Sequence, residues 1–187
     1  MKVSVFIATS LDGYIARQNH ALDWLTGAND QQSTDQDYGY FDFIKTVDVL
    51  VMGRSTFDVV VKFDGWKPPE DTRVVVLTHR DLDIPQEFAE CINVMSGSPQ
   101  TMIAQLEAAG AQHLYIDGGN VIQQFLKEDL VDDLIISTAP VLIGSGIPLF
   151  AELNADIKLK VNSSKVFDSG LTQTHYTTDR RTHQTSG

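Results

Sequence analysis

Three short segments, each at the end of a predicted strand, together carry glycine residues and hydroxyl and basic side chains. They are 52–56 (MGRST), 77–80 (LTHR) and 117–120 (DGGN). Glycine lets a ligand approach the backbone closely, and free N–H groups at a helix start favour anions. Hydroxyl, imidazole and guanidinium groups together suit a phosphate. Each segment alone also fits a capped turn or a polar loop, but together they predict a site for a phosphate-bearing ligand.

Asp117 opens the third of these segments. Its carboxylate would repel a phosphate that it faced, so we expect it to cap the following helix or to point away. The two glycines that follow do not form a G-x-G-x-x-G pattern, so a Rossmann dinucleotide domain is not predicted.

The elements that must position these segments alternate between strand and helix. Apolar runs predict strands at 3–9, 47–52, 73–77 and 113–116, and helices at 37–46, 55–61, 98–109 and 120–127. Strands at 132–139, 158–167 and 171–177 follow, and polar loops fill 17–36 and 140–148. We therefore expect one α/β domain over 1–178 with a mixed, mostly parallel sheet, and a polar tail over 179–187. Ligands of such sheets gather at the carboxyl ends of the strands.

The bulk composition restricts partners and location. The 187 residues carry a net charge of −11, which disfavours nucleic acid and anionic lipid surfaces as partners. No apolar run reaches the ~20 residues of a membrane-spanning helix. Cys91 is the single cysteine, so no internal disulfide or Cys-rich zinc site is possible, and the five histidines show no metal-ligand spacing. We expect a cytoplasmic protein without a metal.

Six segments, taken in order, resemble the dihydrofolate reductase superfamily. They are SLDGYIA (10–16), LDWL (22–25), VMGRSTFD (51–58), VVVLTHR (74–80), IDGGNVIQQFL (116–126) and LVDDLIISTAPVLIGSGIPLF (130–150). The last segment is similar to the bacterial branch related to the C-terminal reductase domain of the riboflavin-biosynthesis deaminase-reductase. The resemblance implies a dihydrofolate-reductase-like three-layer α/β fold and a homodimer. The strand-rich C-terminal third could supply the dimer interface. The sequence itself hints at this only through the apolar stretch 139–150, and the alternative is that this stretch belongs to the core.

The resemblance also implies NADPH as the cofactor. It assigns Ala8 and Ile15 to the nicotinamide; Gly53, Arg54, Ser55 and Thr56 to phosphates, with Arg54 near the 2′-phosphate; Leu77, Thr78 and His79 to the adenosine half; and Gly118, Gly119, Asn120 and Val121 to the pyrophosphate. Apart from Ala8, Ile15 and Val121, these positions fall on the three segments that the residue types alone predict to bind phosphate.

The substrate side departs from the family pattern. Asp23 precedes Trp24 where dihydrofolate reductases carry proline, and Asp37 lies at the spacing of their substrate-binding carboxylate. We therefore expect Trp24, Asp37 and Phe41 to contact the substrate and Asp37 to donate or relay a proton. The alternative is that Asp37 only caps a helix, since acids are frequent in this region.

These features favour a reductase that moves hydride from NADPH to a C=N or C=O carbon of a small pterin-like or pyrimidine-like compound. One alternative is the riboflavin-pathway 5-amino-6-(5-phosphoribosylamino)uracil reductase. Basic residues on the substrate side are few, which argues against a phosphorylated substrate; they are Arg17, Lys45, Lys62 and Lys67. Another alternative is a dimeric NADPH-binding module without turnover.

Overall fold

The computed structural model describes residues 1–25, 37–63 and 65–179. Its strands are β1 (Lys2–Ser10), β2 (Tyr14–Ala16), β3 (Val49–Gly53), β4 (Arg73–Leu77), β5 (Ile92–Met95), β6 (His113–Asp117), β7 (Asp133–Ala139), β8 (Ile147–Pro148), β9 (Leu159–Val166) and β10 (Thr172–Thr178). Its helices are α1 (Tyr40–Ile44), α2 (Arg54–Val60), α3 (Pro99–Ala108) and α4 (Gly119–Lys127), with a 3₁₀ turn at Gln86–Phe88.

Eight strands form one mixed sheet in the order β5-β4-β3-β6-β1-β7-β10-β9, while β2 and β8 pair separately. The neighbours from β5 to β7 are parallel, and β10 is antiparallel to both β7 and β9. The predicted mixed, mostly parallel sheet with a strand-rich C-terminal part is confirmed.

The central strands are apolar on both sides because helices cover both faces of the sheet. Val49 and Val51 of β3 point into a core with α3 and α4, while Leu50 and Met52 point into a second core with α1 and α2. This alternation produces the three layers. Ser98 starts α3 as predicted, since its hydroxyl oxygen accepts the N–H of Thr101 at 3.2 Å.

The structure corrects the prediction for the helix at 37–46. Helix α1 covers only Tyr40–Ile44, and Phe41 points into solvent with 62% of its surface exposed. The inward positions are taken by Phe43, Ile44 and Tyr40. Strands β2, β5 and β8 were not predicted, and the tail beyond residue 179 lies outside the described residues. Across the described ranges, none of the helices is both long and apolar enough to cross a bilayer.

Candidate active site

A cavity of about 800 Å³ lies at the carboxyl ends of five neighbouring strands, β5, β4, β3, β6 and β1. With strands about 4.8 Å apart, it extends over about 19 Å, which suits an elongated ligand such as a dinucleotide. All the residues assigned to the cofactor line it: Ala8, Ile15, Gly53, Arg54, Ser55, Thr56, Leu77, Thr78, His79, Gly118, Gly119, Asn120 and Val121. The fold thus brings the three polar segments together at one edge of the sheet.

The starts of α2 and α4 meet in the middle of this cavity. Gly118 has a φ of +88°, and a Cβ at this position would overlap the hydroxyl oxygen of Thr56. A Cβ at Gly119 would lie 3.1 Å from the carbonyl oxygen of Pro148. The glycine pair therefore lets the starts of α2 and α4 pack closely, because a side chain at either position would collide with a neighbouring residue. We call this closely packed turn at Gly118 and Gly119 the glycine cradle.

The cavity end at β3, β4 and β5 carries two cationic side chains, Arg54 and Arg80. The guanidinium of Arg54 donates to the carbonyl oxygen of Asp81 at 2.9 Å and lies 3.5 Å from the carboxylate of Asp58. Thr78 fixes the turn after β4, because its hydroxyl oxygen accepts the N–H of Arg80 at 3.0 Å. This end can hold an anionic group such as a phosphate.

At the opposite end, β1 and β6 separate. Their paired register ends at Ser4 and Tyr115, whereas the pairing of β1 with β7 continues to Ser10. The gap opens beside Phe6 and Ala8, and both residues line the cavity. A flat ring can enter the sheet edge at this point, since Ala8 has only a methyl side chain.

The short β2–β8 pair also contributes to the cavity wall, which Ile15 and Ile147 line. Asp12 fixes the pair, because its carboxylate accepts the N–H groups of Gly144 at 2.7 Å and Ile143 at 3.2 Å. The Ser10 hydroxyl also donates to it at 2.6 Å, and these bonds lower the pKa of Asp12. The carboxylate thus joins the turn after β1 to the loop before β8.

Asp117 is the carboxylate on the cavity wall beside the gap. Its oxygen accepts the N–H of the adjacent Gly118 at 2.8 Å, but the N-cap of α4 is Gly118 itself and no side chain caps the helix, so the expected capping by Asp117 is not observed. Burial raises its pKa to about 6, and that hydrogen bond offsets only part of the effect. Near neutral pH this carboxyl group can therefore bind or release a proton.

The residues expected to contact the substrate are not among those lining the cavity. Asp37 accepts the N–H groups of Phe41 at 2.8 Å and Gly39 at 3.2 Å, which lowers its pKa. This is capping geometry, because the free N–H groups of a helix start attract a nearby carboxylate. Trp24 is buried and Phe41 faces solvent. The structure therefore does not bring Trp24, Asp37 or Phe41 to this cavity.

Sequence reasoning did not assign other lining residues to the site. Among them are Phe6, Leu22, Leu25, Val59, Val60, Phe63, Tyr115 and Asp117. The sequence could have indicated Asp117 as a site residue, because it directly precedes Gly118 and Gly119. The apolar residues gave none, since a side chain that lines a cavity has the same residue type as one in a core.

Comparisons with known proteins agree with this architecture. The model of the RibD C-terminal domain family matches residues 1–173. A Bacillus subtilis relative, the uncharacterized protein YwjB, is 36% identical over 176 residues, covering 94% of this chain and 97% of the relative.

Solved structures show the same fold. A crystal structure from Shewanella sp. PV-4, of a protein named after riboflavin biosynthesis, is 43% identical with a TM-score of 0.87, covering 96% of this chain and 100% of that one. Dihydrofolate reductase from Enterococcus faecalis, complexed with NADP(H), is 17% identical with a TM-score of 0.64, covering 95% and 96%. The chain has a dihydrofolate-reductase-like fold and belongs to the RibD C-terminal domain family.

Proposed function

We propose that this protein is an NADPH-dependent reductase that transfers hydride to a C=N or C=O carbon of a small heterocyclic compound. The observation that carries the proposal is the single cavity that joins a glycine cradle and two arginines to the gap between β1 and β6. A cofactor that spans this cavity would have its phosphates and its reactive ring at opposite ends.

The residues present fit NADPH. The backbone at Gly118 and Gly119 would hold the pyrophosphate, because it lies at the start of α4 and lines the cavity, and helix starts favour anions. Arg54 and Arg80 would hold the adenosine-side phosphate, with Leu77, Thr78 and His79 around the adenosine. Ala8 and Ile15 would enclose the nicotinamide in the gap between β1 and β6. NADPH, when bound, supplies the hydride.

The chain itself must supply the proton. When hydride adds to the carbon of a C=N bond, the nitrogen becomes basic and takes up a proton. We assign this proton to Asp117 in place of Asp37, because Asp117 lines the cavity and its pKa of about 6 leaves part of it protonated near neutral pH. The apolar wall of Phe6, Val60 and Phe63 would exclude water from the reacting atoms.

The comparisons support a reductase, since the family is named after the C-terminal domain of RibD and a structural neighbour is a dihydrofolate reductase. The family also favours a second candidate, the riboflavin-pathway 5-amino-6-(5-phosphoribosylamino)uracil reductase. We further propose a homodimer and a cytoplasmic location, in which the exposed thiol of Cys91 would stay reduced.

Substrate-dependent oxidation of NADPH tests the proposal. Purified protein is mixed with NADPH and, separately, dihydropterins, oxidised pterins and aminopyrimidines with or without a ribosyl phosphate. We expect oxidation with at least one phosphate-free heterocycle and a ~10²-fold or greater loss in Asp117→Asn, in line with general-acid contributions. Oxidation only with the ribosyl phosphate would identify the riboflavin-pathway reductase, and NADPH binding without any turnover would favour the binding module.

A further inference from the structure

The part of the cavity that would face the substrate differs sharply in charge from the part that would face phosphates. We call the part that would face the substrate the substrate wall. It consists of Phe6, Leu22, Leu25, Val60 and Phe63, which line the cavity outside the three phosphate-binding segments, and of Asp117, the first residue of the third segment. Five of these side chains are apolar, and the sixth is a carboxyl group. A ligand against this wall meets apolar surface and one acidic group.

The cationic side chains of the cavity lie at its other end. Among the described lining residues, only Arg54 and Arg80 are Lys or Arg, and both follow β3 or β4. Asp117 and Phe6 belong to β6 and β1, one and two strands beyond β3 in the sheet. A bound NADPH would use both arginines for its own phosphates, leaving neither for a substrate.

Nearby basic residues do not supply a replacement. Arg17 makes two hydrogen bonds to the carboxylate of Asp23, at 2.7 and 2.9 Å, so its charge is already paired. Lys62 adjoins Phe63 in the chain but is not a lining residue. Among the described lining residues outside the three phosphate-binding segments, only His20 has a side chain that can carry a positive charge.

We infer that the substrate is a flat, phosphate-free heterocycle without a negative charge, carrying a ring nitrogen or N–H edge that meets Asp117. The inference rests on the proposed function and narrows its substrate class. A phosphate at the substrate wall would lose its hydration without gaining a cation, and it would be repelled by an ionised Asp117. An uncharged ring would bury its faces against Phe6, Val60 and Phe63.

Ligand-observed NMR on the NADPH-saturated protein tests this at pH 7, where most of Asp117 is ionised and pterin is still mostly neutral. The probes are matched pairs, namely pterin with 6-carboxypterin and uridine with uridine 5′-phosphate, and inorganic pyrophosphate alone. We expect a neutral member to bind at least ~10-fold more tightly than its anionic partner, and pyrophosphate not to bind. Equal or tighter binding of the anionic members, pyrophosphate binding, or no binding by either neutral probe would overturn the inference.

Variants identify the groups responsible. Asp117→Asn should reduce the preference for neutral probes, while Asp156→Asn, the same charge change at an exposed position, should not. A preference that is unchanged in Asp117→Asn would overturn the role of that carboxylate. His20→Gln should leave anionic probes weak, and a loss of phosphate binding on this change would reveal a phosphate site that contradicts the inference.

The NADPH titration that precedes these experiments separates the two claims. If the protein does not bind NADPH, the proposed function fails. If it binds NADPH but anionic probes bind as well as neutral ones, only the inference about the substrate fails.

Discussion

The phenolic hydroxyl of Tyr115 donates a 2.9 Å hydrogen bond to the carbonyl oxygen of Phe6. This bond joins β6 to β1 just beyond the point where their backbone pairing ends at Ser4 and Tyr115. A side chain thus satisfies a carbonyl group that no strand neighbour on that side reaches, and the gap beside Ala8 remains open. The end of the β1–β6 pairing thus has two consequences: it opens the gap that a flat ring can enter, and it leaves the Phe6 carbonyl oxygen for the Tyr115 hydroxyl.

Tyr115→Phe removes this hydrogen bond and keeps the ring. The Phe6 carbonyl then lacks its partner, so we expect the free energy of unfolding to fall by ~1–3 kcal/mol, measured by urea denaturation. Tyr38→Phe is the control, because the Tyr38 hydroxyl makes an exposed 3.3 Å contact with Ser169 and should contribute little. Equal losses in the two variants would contradict the role given to Tyr115.

Arg54 should determine the choice of cofactor. Arg54→Ala is expected to weaken NADPH binding by ~10- to 100-fold and to leave NADH binding nearly unchanged, because a charge-assisted hydrogen bond contributes ~1.5–3 kcal/mol. Fluorescence titration with both cofactors measures this. Asp58→Asn is the companion variant and should strengthen NADPH binding, since Asp58 lies 3.5 Å from Arg54 and competes for its charge. Equal loss of both cofactors in Arg54→Ala would place Arg54 away from the 2′-phosphate.

Asp117 should make both turnover and stability depend on pH. Its pKa rises from 3.8 to about 6 on folding. As the pH rises from about 4 to 6, the unfolded chain loses this proton before the folded chain does, so the contribution of Asp117 to stability falls by about 3 kcal/mol. Turnover that needs the protonated form should fall as the pH rises through about 6.

Asp117→Asn isolates these effects from other titrating groups. The variant should gain stability relative to the wild type between about pH 4 and 6, and its residual turnover should lose the pH dependence near 6. The charge of Asp117 also acts on Tyr115 and Tyr40. The pKa values of both tyrosines are raised, so both stay neutral between about pH 4 and 6. A stability difference that does not vary with pH would show that Asp117 titrates normally.

A homodimer would use the edge of the sheet at β9. Every residue of β9 is exposed, including Val161 and Val166, and Leu142 and Phe150 expose apolar surface in the 139–150 stretch. Sedimentation at micromolar concentration should show a species of twice the 20.7 kDa chain mass. Val161→Lys and Val166→Lys together should produce monomers, because charge on an edge strand opposes pairing. A wild-type species at 20.7 kDa would exclude the dimer under these conditions.

The sequence predicted the glycine and arginine residues of the cavity better than its apolar residues. Glycines 118 and 119 could be recognised because a helix start packed against Thr56 requires residues without side chains. The phase of α1 could not be recognised, because Tyr40, Phe41, Phe43 and Ile44 are all apolar and a five-residue helix is too short to distinguish its inner face.

Two further differences between the sequence-based expectations and the structure have physical reasons. Strand β5 has exposed residues at Asn93 and Val94, as an edge strand can, so its hydrophobic pattern is weak. Asp37 matched a spacing along the chain, but a spacing does not specify whether a carboxylate points into a cavity or bonds to the N–H groups of a helix start. The apolar substrate wall depends on how α2 lies over the sheet, which only tertiary packing determines.

The affinity for NADPH of wild-type protein, Gly118→Ala and Gly110→Ala tests the central claim most directly. Both glycines have positive φ, +88° and +89°, so both substitutions introduce similar backbone strain, but only a Cβ at Gly118 meets Thr56 in the cradle. We predict that wild type and Gly110→Ala bind NADPH alike, while Gly118→Ala binds at least ~10-fold more weakly because the pyrophosphate position is distorted. Wild-type affinity in a folded Gly118→Ala, or no NADPH binding by the wild type, would contradict the account.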